Sequence, residues 1–327
     1  MKNSITKIIA SVLAVSALTA CGSSSAAASS AAASTEAAAS TSAAAAAPAG
    51  DPVVIAIPDD PTNGGRAIKL LETAGLIEVD PAAGYAPELK DVTKYVYNIT
   101  IQPQTAETLP QTLDDLGAAT INGTYAIPAG LKPTDGLIIE DQGTSGDNPY
   151  VNVIVARTED KDNELYKTIV EAFQTQYVAE YLRVKYNDAF FPAFDYDESK
   201  VAEEGQAVVD EADAYVSSPD GKTTVTVGVC GANNDHWKAV QKVLDDENAG
   251  IYIELKTFDS YDIPNDALNA GEIDLNAFQH KAYLQSEVDS QGYKIETIGD
   301  TLMAPLTLYS HKYASLDDLK AAAGKLE

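Results

Sequence analysis

The chain has 327 residues, and 49 acidic against 22 basic side chains give it a formal charge of −27. Phosphate repels so acidic a surface, which excludes nucleic acid as a partner and reads instead as solubility at a cell surface. The only two cysteines, Cys21 and Cys230, exclude a disulfide-built domain.

The first twenty residues carry Lys2 and Lys7 ahead of an apolar run, Ile8 to Ala17. That run is too short to span a bilayer comfortably and has the layout of a secretory signal. It ends in "LTAC", which resembles a bacterial lipobox, so Cys21 is expected to be the lipidated (palmitate-bearing) first residue of an exported, membrane-anchored protein. Residues 21–50 are almost entirely Ser, Ala, Thr, Pro and Gly, a composition with too little apolar side chain for a core and therefore a tether. About 280 residues follow, large for one core and natural for two lobes.

Strand and helix patterns then alternate. "PVVIAIP" is a buried strand, and "AIKLLETAGLI" a helix with apolar residues at i, i+3, i+4 and i+7 and Gly75 as its stop. "YNITIQP" and "GAATING" read as strands on either side of a helix through Pro110. "GLIIED" and "NPYVNVIVAR" are strands, and Asn163 to Tyr186 is helical in one or two pieces. Residues 195–222 are acidic and poor in large apolar groups, and they read as a solvent-exposed linker with some helix. After them come a strand "TTVTVGV", a helix "NDHWKAVQKVLDDENAG", a strand "IYIELKTF", a helix "IPNDALNAG", a strand "EIDLNAF" and a helix "QHKAYLQSEVDSQG". A last helix is capped by Ser315. Repeated strand–helix–strand units predict mostly parallel sheets with right-handed crossovers, so a two-lobed α/β protein.

Catalytic and cofactor signatures are missing from the sequence. His236, His280 and His311 fit no common zinc spacing, and there is no G-x-S-x-G, G-x-G-x-x-G or P-loop. Cys230, in a strand pattern, reads as a small buried hydrophobe. No metal, cofactor or enzymatic activity is therefore expected, and binding remains. In "PTNGGRAIKLL", Arg66 falls in the first turn of a helix, where free N–H groups already favour anions and a guanidinium can take a carboxylate through two parallel bonds. The alternative is an exposed arginine paired with a nearby acid. Tyr261, Phe278, His280 and Tyr283 cluster at strand ends and helix starts, where open α/β sheets hold ligands; the alternative is that Phe278 and Tyr283 are ordinary core.

"AIPDDPTNGGRA", "ATINGTYAI", "PYVNVIVAR", "FFPAF", "FDSYDIPNDAL", "NAFQHKAYL" and "LYSHKY" together resemble the methionine-binding lipoproteins of the MetQ/NlpA family, the solute receptors of ABC importers. The resemblance covers about 51–194 and 223–319 and departs at "GVCGANNDHW", where the family has a Gly-Pro-His turn. It implies a type II periplasmic-binding-protein-like fold with a ligand cleft between the lobes. It also implies a free amino acid as ligand, most simply L-methionine, and a permease with its ATPase as partners of a monomeric receptor. By resemblance, Arg66 takes the α-carboxylate, Asn63, Asn122 and Asn152 serve carboxylate and ammonium, and Tyr261, Phe278, His280 and Tyr283 enclose the side chain. In the family "VTVGV" precedes "AIPDDPTNGGRA", whereas here it follows, so the sequence resembles a circular permutant. This order predicts a first lobe of 51–122 plus 314–327, a second of 123–313, and crossings near Asn122 and Tyr313. Three alternatives stay open: a receptor for another apolar amino acid or short peptide, an enzyme with a general base near His280, and a surface lipoprotein without transport.

Overall fold

A computed structural model describes residues 50–84, 86–141, 143 and 148–327. The expected signal segment, Cys21 and nearly all of the tether lie outside the described residues. The strands are β1 (Val53–Pro58), β2 (Ile77–Val79), β3 (Val92–Tyr95), β4 (Ile99–Gln104), β5 (Ala118–Ile121), β6 (Ile138–Ile139), β7 (Val151–Arg157), β8 (Phe191–Pro192), β9 (Thr223–Cys230), β10 (Ile251–Phe258), β11 (Leu275–Asn276), β12 (Ile295–Met303) and β13 (Thr307–Tyr309). The helices are α1 (Pro61–Thr73), α2 (Leu109–Thr112), α3 (Gly123–Ala126), α4 (Glu164–Phe173), α5 (Gln176–Lys185), α6 (Glu198–Ala214), α7 (His236–Asp246), α8 (Pro264–Asn269), α9 (Lys281–Gln291) and α10 (Leu316–Ala323).

The strands build two main sheets, ordered β4-β1-β5-β13-β6 and β10-β9-β11-β7-β12-β8, with β2 and β3 forming a small antiparallel ribbon. Each sheet is the centre of its own lobe. Alternating apolar residues of β1 and β4 meet Ala67, Ile68, Leu70 and Leu71 of α1 in the first core, which Leu319 of α10 completes. In the second, β7 and β9 meet α4, α5 and α7 around Phe173, Tyr181 and Trp237. The α/β two-lobed expectation therefore holds.

The sheets are more mixed than repeated strand–helix units suggest. β1 runs parallel to β4 and β5, but β13 is antiparallel to β5. Likewise β9 runs parallel to β10 and β11, while β7 is antiparallel to β11 and β12. The cause lies in the crossings. β7 and β13 are each the first strand the chain forms after it leaves the other lobe. A strand that enters its sheet from the cleft edge must run against strands that end there.

Two further expectations are corrected. The lobe boundaries do not fall near Asn122 and Tyr313, because β6 and β13 pair within the first sheet. Residues 123–139 and 307–313 lie with the first lobe, and the chain crosses between β6 and β7 and again between β12 and β13. The segment 195–222 holds the expected helix but is not simply solvent-exposed. Seventeen of its residues form α6, whose Gly205, Val208, Val209 and Ala212 are buried. Small residues let it seat closely: a Cβ on Gly205 would stand 2.5 Å from a Val184 methyl. The following turn is pinned by Asp245, which accepts from Tyr215 Oη (2.7 Å), Ser217 Oγ (2.6 Å) and Lys222 Nζ (2.6 Å).

Candidate functional site: a chamber between the lobes

The first wall of the cleft is the start of α1. Asp60 caps this helix by accepting from Asn63 N at 2.8 Å, with Pro61 in the first turn where its missing N–H costs nothing. Both glycines of "NGGRA" are needed for close approach. A Cβ on Gly64 would lie 2.9 Å from the Pro58 carbonyl oxygen, and one on Gly65 would lie 2.6 Å from Ala86 Cα. Gly64 lets the helix start close on the end of β1 and Gly65 lets the Ala86 backbone close on the helix, while Asn63 and Arg66 line the cleft.

Arg66 is 3 % exposed. Its Nε donates to Glu140 Oε1 at 3.0 Å and its Nη2 to Glu140 Oε2, a two-pronged pair. Nη1 lies 3.3 Å from Asn63 Oδ1, Nη2 also reaches the Ala304 carbonyl at 3.3 Å, and the guanidinium stands 4.5 Å from the Tyr150 ring centre. The arginine is thus paired with an acid, as one reading of the sequence had it, but in a buried site and with a partner 74 positions away. Glu140 also accepts from Leu306 N at 3.0 Å. It is the residue sequence reasoning missed, since no local spacing couples it to Arg66.

Asn63 is a junction. Its Oδ1 accepts from Asn122 Nδ2 at 2.8 Å and lies 3.2 Å from His280 Nε2, while its Nδ2 donates to both oxygens of Asp60. His280 caps α9, its Nδ1 accepting from Tyr283 N at 3.1 Å. A ring nitrogen that accepts there carries no proton, so the hydrogen belongs on Nε2 and is donated to Asn63. Burial holds the His280 pKa well below the usual histidine range, and the nearby Arg66 charge adds to this. The neutral ring joins the lobes, because Asn63 belongs to the first and His280 to the second.

Asn122 is left half-paired. Its Nδ2 is committed to Asn63, but its Oδ1, fully buried, accepts no hydrogen bond among the described residues. Such an orphan costs about 1–3 kcal/mol and is an acceptor ready for a donor. Facing it across the chamber are Tyr261, Phe278 and Tyr283, with ring centres 5.9–6.2 Å apart pairwise.

All eight residues singled out in the sequence, Asn63, Arg66, Asn122, Asn152, Tyr261, Phe278, His280 and Tyr283, line this one chamber, together with Gly123, Thr124, Gln279 and Ala304. Phe278 and Tyr283 are wall rather than plain core. The floor beneath them is a buried amide cluster. Gln279 and Asn265 exchange both their bonds (2.9 and 2.6 Å), and Asn276 joins each of them (2.9 and 3.0 Å). Full pairing of that cluster fixes Phe278 and His280 on either side of Gln279.

The NlpA lipoprotein family model matches residues 43–194 and 225–324, well over half of the chain. The chain belongs to the NlpA lipoprotein family. Among the curated relatives, the D-methionine-binding lipoprotein MetQ of Escherichia coli K12 is 42% identical over 129 residues, 38% of this chain and 46% of that protein. Outer membrane lipoprotein 3 of Mannheimia haemolytica is 44% identical over 125 residues, 38% and 46% of the two chains. The chain thus spans about half the length of the curated relatives it matches. A crystal structure of the methionine-binding protein MetQ is 40% identical, covering 42% of this chain and 56% of that one at a TM-score of 0.40. A nutrient-binding protein of Burkholderia cenocepacia bound to methionine is 34% identical, with 42% and 58% covered and a TM-score of 0.39.

Proposed function

We propose that this protein is the extracytoplasmic, lipid-anchored solute receptor of an ABC importer, that it binds a free apolar amino acid, L-methionine first, and that it is not an enzyme. In this reading Cys21 carries the lipid, and the receptor works as a monomer that presents its closed form to a permease and ATPase. The observation that carries it is the unpaired, buried Asn122 Oδ1 beside the Arg66–Glu140 pair, opposite three aromatic rings. An α-ammonium donates to Asn122. The carboxylate accepts the second hydrogen of Nη1, the terminal nitrogen not spent on Glu140, and Glu140 keeps the local charge near neutral, as suits a zwitterion. Asn63, already committed on both sides, holds these groups in place, and Asn152 offers its amide to the ligand. A thioether gains roughly 0.3–1.5 kcal/mol against aromatic edges, which favours methionine over a plain alkyl side chain. The name of the matched Escherichia coli relative, a D-methionine-binding lipoprotein, supports methionine as the solute. Calorimetry with L-methionine, D-methionine, leucine and glutamate tests the reading. Methionine binding well ahead of glutamate supports it, and no heat with any of the four refutes it.

The rotated chain order is part of the same reading. Asn98 holds both ends of the described fold: its Nδ2 donates to the Gly50 carbonyl at 3.2 Å, and its N donates to the Gly324 carbonyl at 2.9 Å. Ends that lie together are where a chain can be joined and reopened elsewhere. A gene that runs from 223 to 327, continues at 51 and stops at 194 is expected to fold and to bind the same solute. Failure of that chain to fold would argue that α6 is indispensable and the order original.

A further inference from the structure

The second sheet ends on one side at β10, an edge strand of eight residues. The Gly250 and Phe258 carbonyls accept from Thr223 N and Gly231 N on the β9 side. In a parallel pair such bonds recur at every second residue, so the even-numbered residues of β10 bond to β9 and the odd-numbered ones turn their N–H and C=O outward. The Gln241 side chain covers the start of this outer edge, its Nε2 donating to the Ile251 carbonyl at 3.0 Å and its Oε1 accepting from Ile253 N at 2.7 Å. Beyond it, the N–H groups of Leu255 and Thr257 and the carbonyls of Ile253 and Leu255 meet no partner among the described residues. A groove follows this open stretch along the flank of α7, lined by Val216, Trp237, Lys238, Gln241, Ile253 and Leu255. Val216 and Leu255 are two of the four large apolar side chains exposed among the described residues.

An unpaired ladder templates another strand, and proteins blunt it with proline, a bulge or charge. β10 contains no proline and pairs with β9 over all eight residues without a register shift. Its two charges, Glu254 and Lys256, stand on either side of Leu255. A lone lysine guards an edge, but this order is complementary to itself. In an antiparallel pair of two copies centred on Leu255, the two Leu255 residues exchange both main-chain bonds, and Thr257 N donates to the Ile253 carbonyl of the other copy. Glu254 then stands opposite Lys256 and Tyr252 opposite Phe258, pairs that stabilise neighbouring strands. Glu254 is exposed and makes no ion pair among the described residues, and Lys256 makes only a 3.4 Å pair with Glu272 in which both side chains are largely exposed. On the other face the two Leu255 side chains meet beside Val216. We infer that the protein pairs with a second copy of itself through the outer edge of β10, as a two-fold dimer centred on Leu255. The contact is smaller than the about 1,200–2,000 Å² of a stable interface, so the pairing is reversible. Salt screens the repulsion between two acidic chains beyond about 8 Å. β10 supplies no residue to the aromatic chamber. The inference therefore goes beyond the receptor reading without resting on it, and the monomer of that reading is the dissociated form.

The test is sedimentation velocity of the full chain at about 0.15 M salt. The parent is expected to dimerise with a dissociation constant of about 1–100 μM. Glu254→Lys and Lys256→Glu each set like charges opposite one another, twice per dimer by symmetry, and each should weaken the dimer at least about tenfold. An equal mixture of these two variants restores opposite charges and should associate like the parent, as should the chain that carries both substitutions. Both positions are exposed, so the melting temperature should stay within a few degrees of the parent's. Leu255→Asp, which sets two carboxylates on the two-fold axis, replaces a variant that melts early and should also abolish pairing. A parent that stays monomeric at about 300 μM overturns the inference. So do substituted chains that dimerise like the parent, which would place the association elsewhere, and a mixture of folded single variants that does not associate.

Discussion

The receptor reading gives Arg66 two duties, one to the fold and one to the ligand, that a pair of substitutions separates. Arg66→Ala removes the guanidinium from a site where it is 3 % exposed and leaves Glu140, whose side chain is 14 % exposed, without its cation. Removing one partner of a buried ion pair costs about 3–5 kcal/mol of stability. For a domain of this size each kcal/mol is worth about 2–4 °C in Tm, so the variant should melt roughly 6–20 °C below the parent. Its affinity for methionine should fall by about 2–5 kcal/mol, from about thirtyfold to several thousandfold. Arg66→Ala with Glu140→Ala removes both charges. The unpaired carboxylate is then gone, and much of the lost stability should return. The lost affinity should not return, since no cation is left for the carboxylate of the ligand. Calorimetric melting and isothermal titration of the three proteins read the two quantities independently. If the double variant regains affinity together with stability, Arg66 acts only as scaffolding and its role at the carboxylate is wrong. A single variant that melts and binds like the parent would refute the burial argument itself.

Gly231 has a φ of +69° and sits so near the first lobe that a Cβ would lie 2.9 Å from the Thr124 carbonyl oxygen and Cγ2. Gly231→Ala should weaken methionine binding at least tenfold, through a backbone penalty of about 1–2 kcal/mol plus the wedge between the lobes; unaltered affinity in titration would show that the contact is not needed in the bound form. Acid should destabilise the fold through its buried histidines. His236 and His280 both have folded pKa values below the unfolded one, so the unfolded chain takes up protons first. Their contribution is complete above about pH 6.5 and is lost as pH falls from there, for His236 down to about 4. The His236 share is about 3 kcal/mol at most. Urea unfolding at pH 7 and pH 4.5 should therefore show a smaller loss for His236→Gln than for the parent, and equal losses would refute it.

The elements were legible where one physical signal decided them. The strand "VVIAIP", the N-cap Ser315 and the Gly75 stop follow from local pattern and turn chemistry, and each stands in the structure. Of the eight chamber residues, Arg66 and the cluster of Tyr261, Phe278, His280 and Tyr283 were legible from helix starts and strand ends, whereas Asn63, Asn122 and Asn152 were legible only through the resemblance to the MetQ/NlpA family; the two-lobed topology brings all eight to one chamber. Glu140 was not legible, because its coupling to Arg66 is purely tertiary. The lobe boundaries were misplaced for a related reason. β6 is two residues long and β13 three, and such short strands carry too little periodicity to say which sheet they join. α6 was under-read because its buried face is made of Gly, Ala and Val, which leave its acidic residues to dominate the composition.

The residues that would grip the ligand are also the ones that bridge the lobes. Asn63 in the first lobe meets His280 in the second, and Arg66 meets the Ala304 carbonyl at the entry to β13. Near the rim Tyr125 donates to the Asp259 carbonyl at 3.1 Å. Among the described residues these bonds are few, and each is worth only about 0.5–1.5 kcal/mol net, so they hold the lobes together by a small margin. A ligand that donates to Asn122 fixes the amide which in turn donates to Asn63, and Asn63 is the atom pair away from His280. Binding and closure therefore draw on one hydrogen-bond chain, from Asp60 through Asn63 to Asn122 and His280. A ligand shifts the open–closed balance only by its preference for the closed form. That preference is strongest for a molecule that completes the chain at Asn122 while its side chain fills the space between Tyr261 and Phe278, and a molecule that does only one of these should bind without fully closing the lobes.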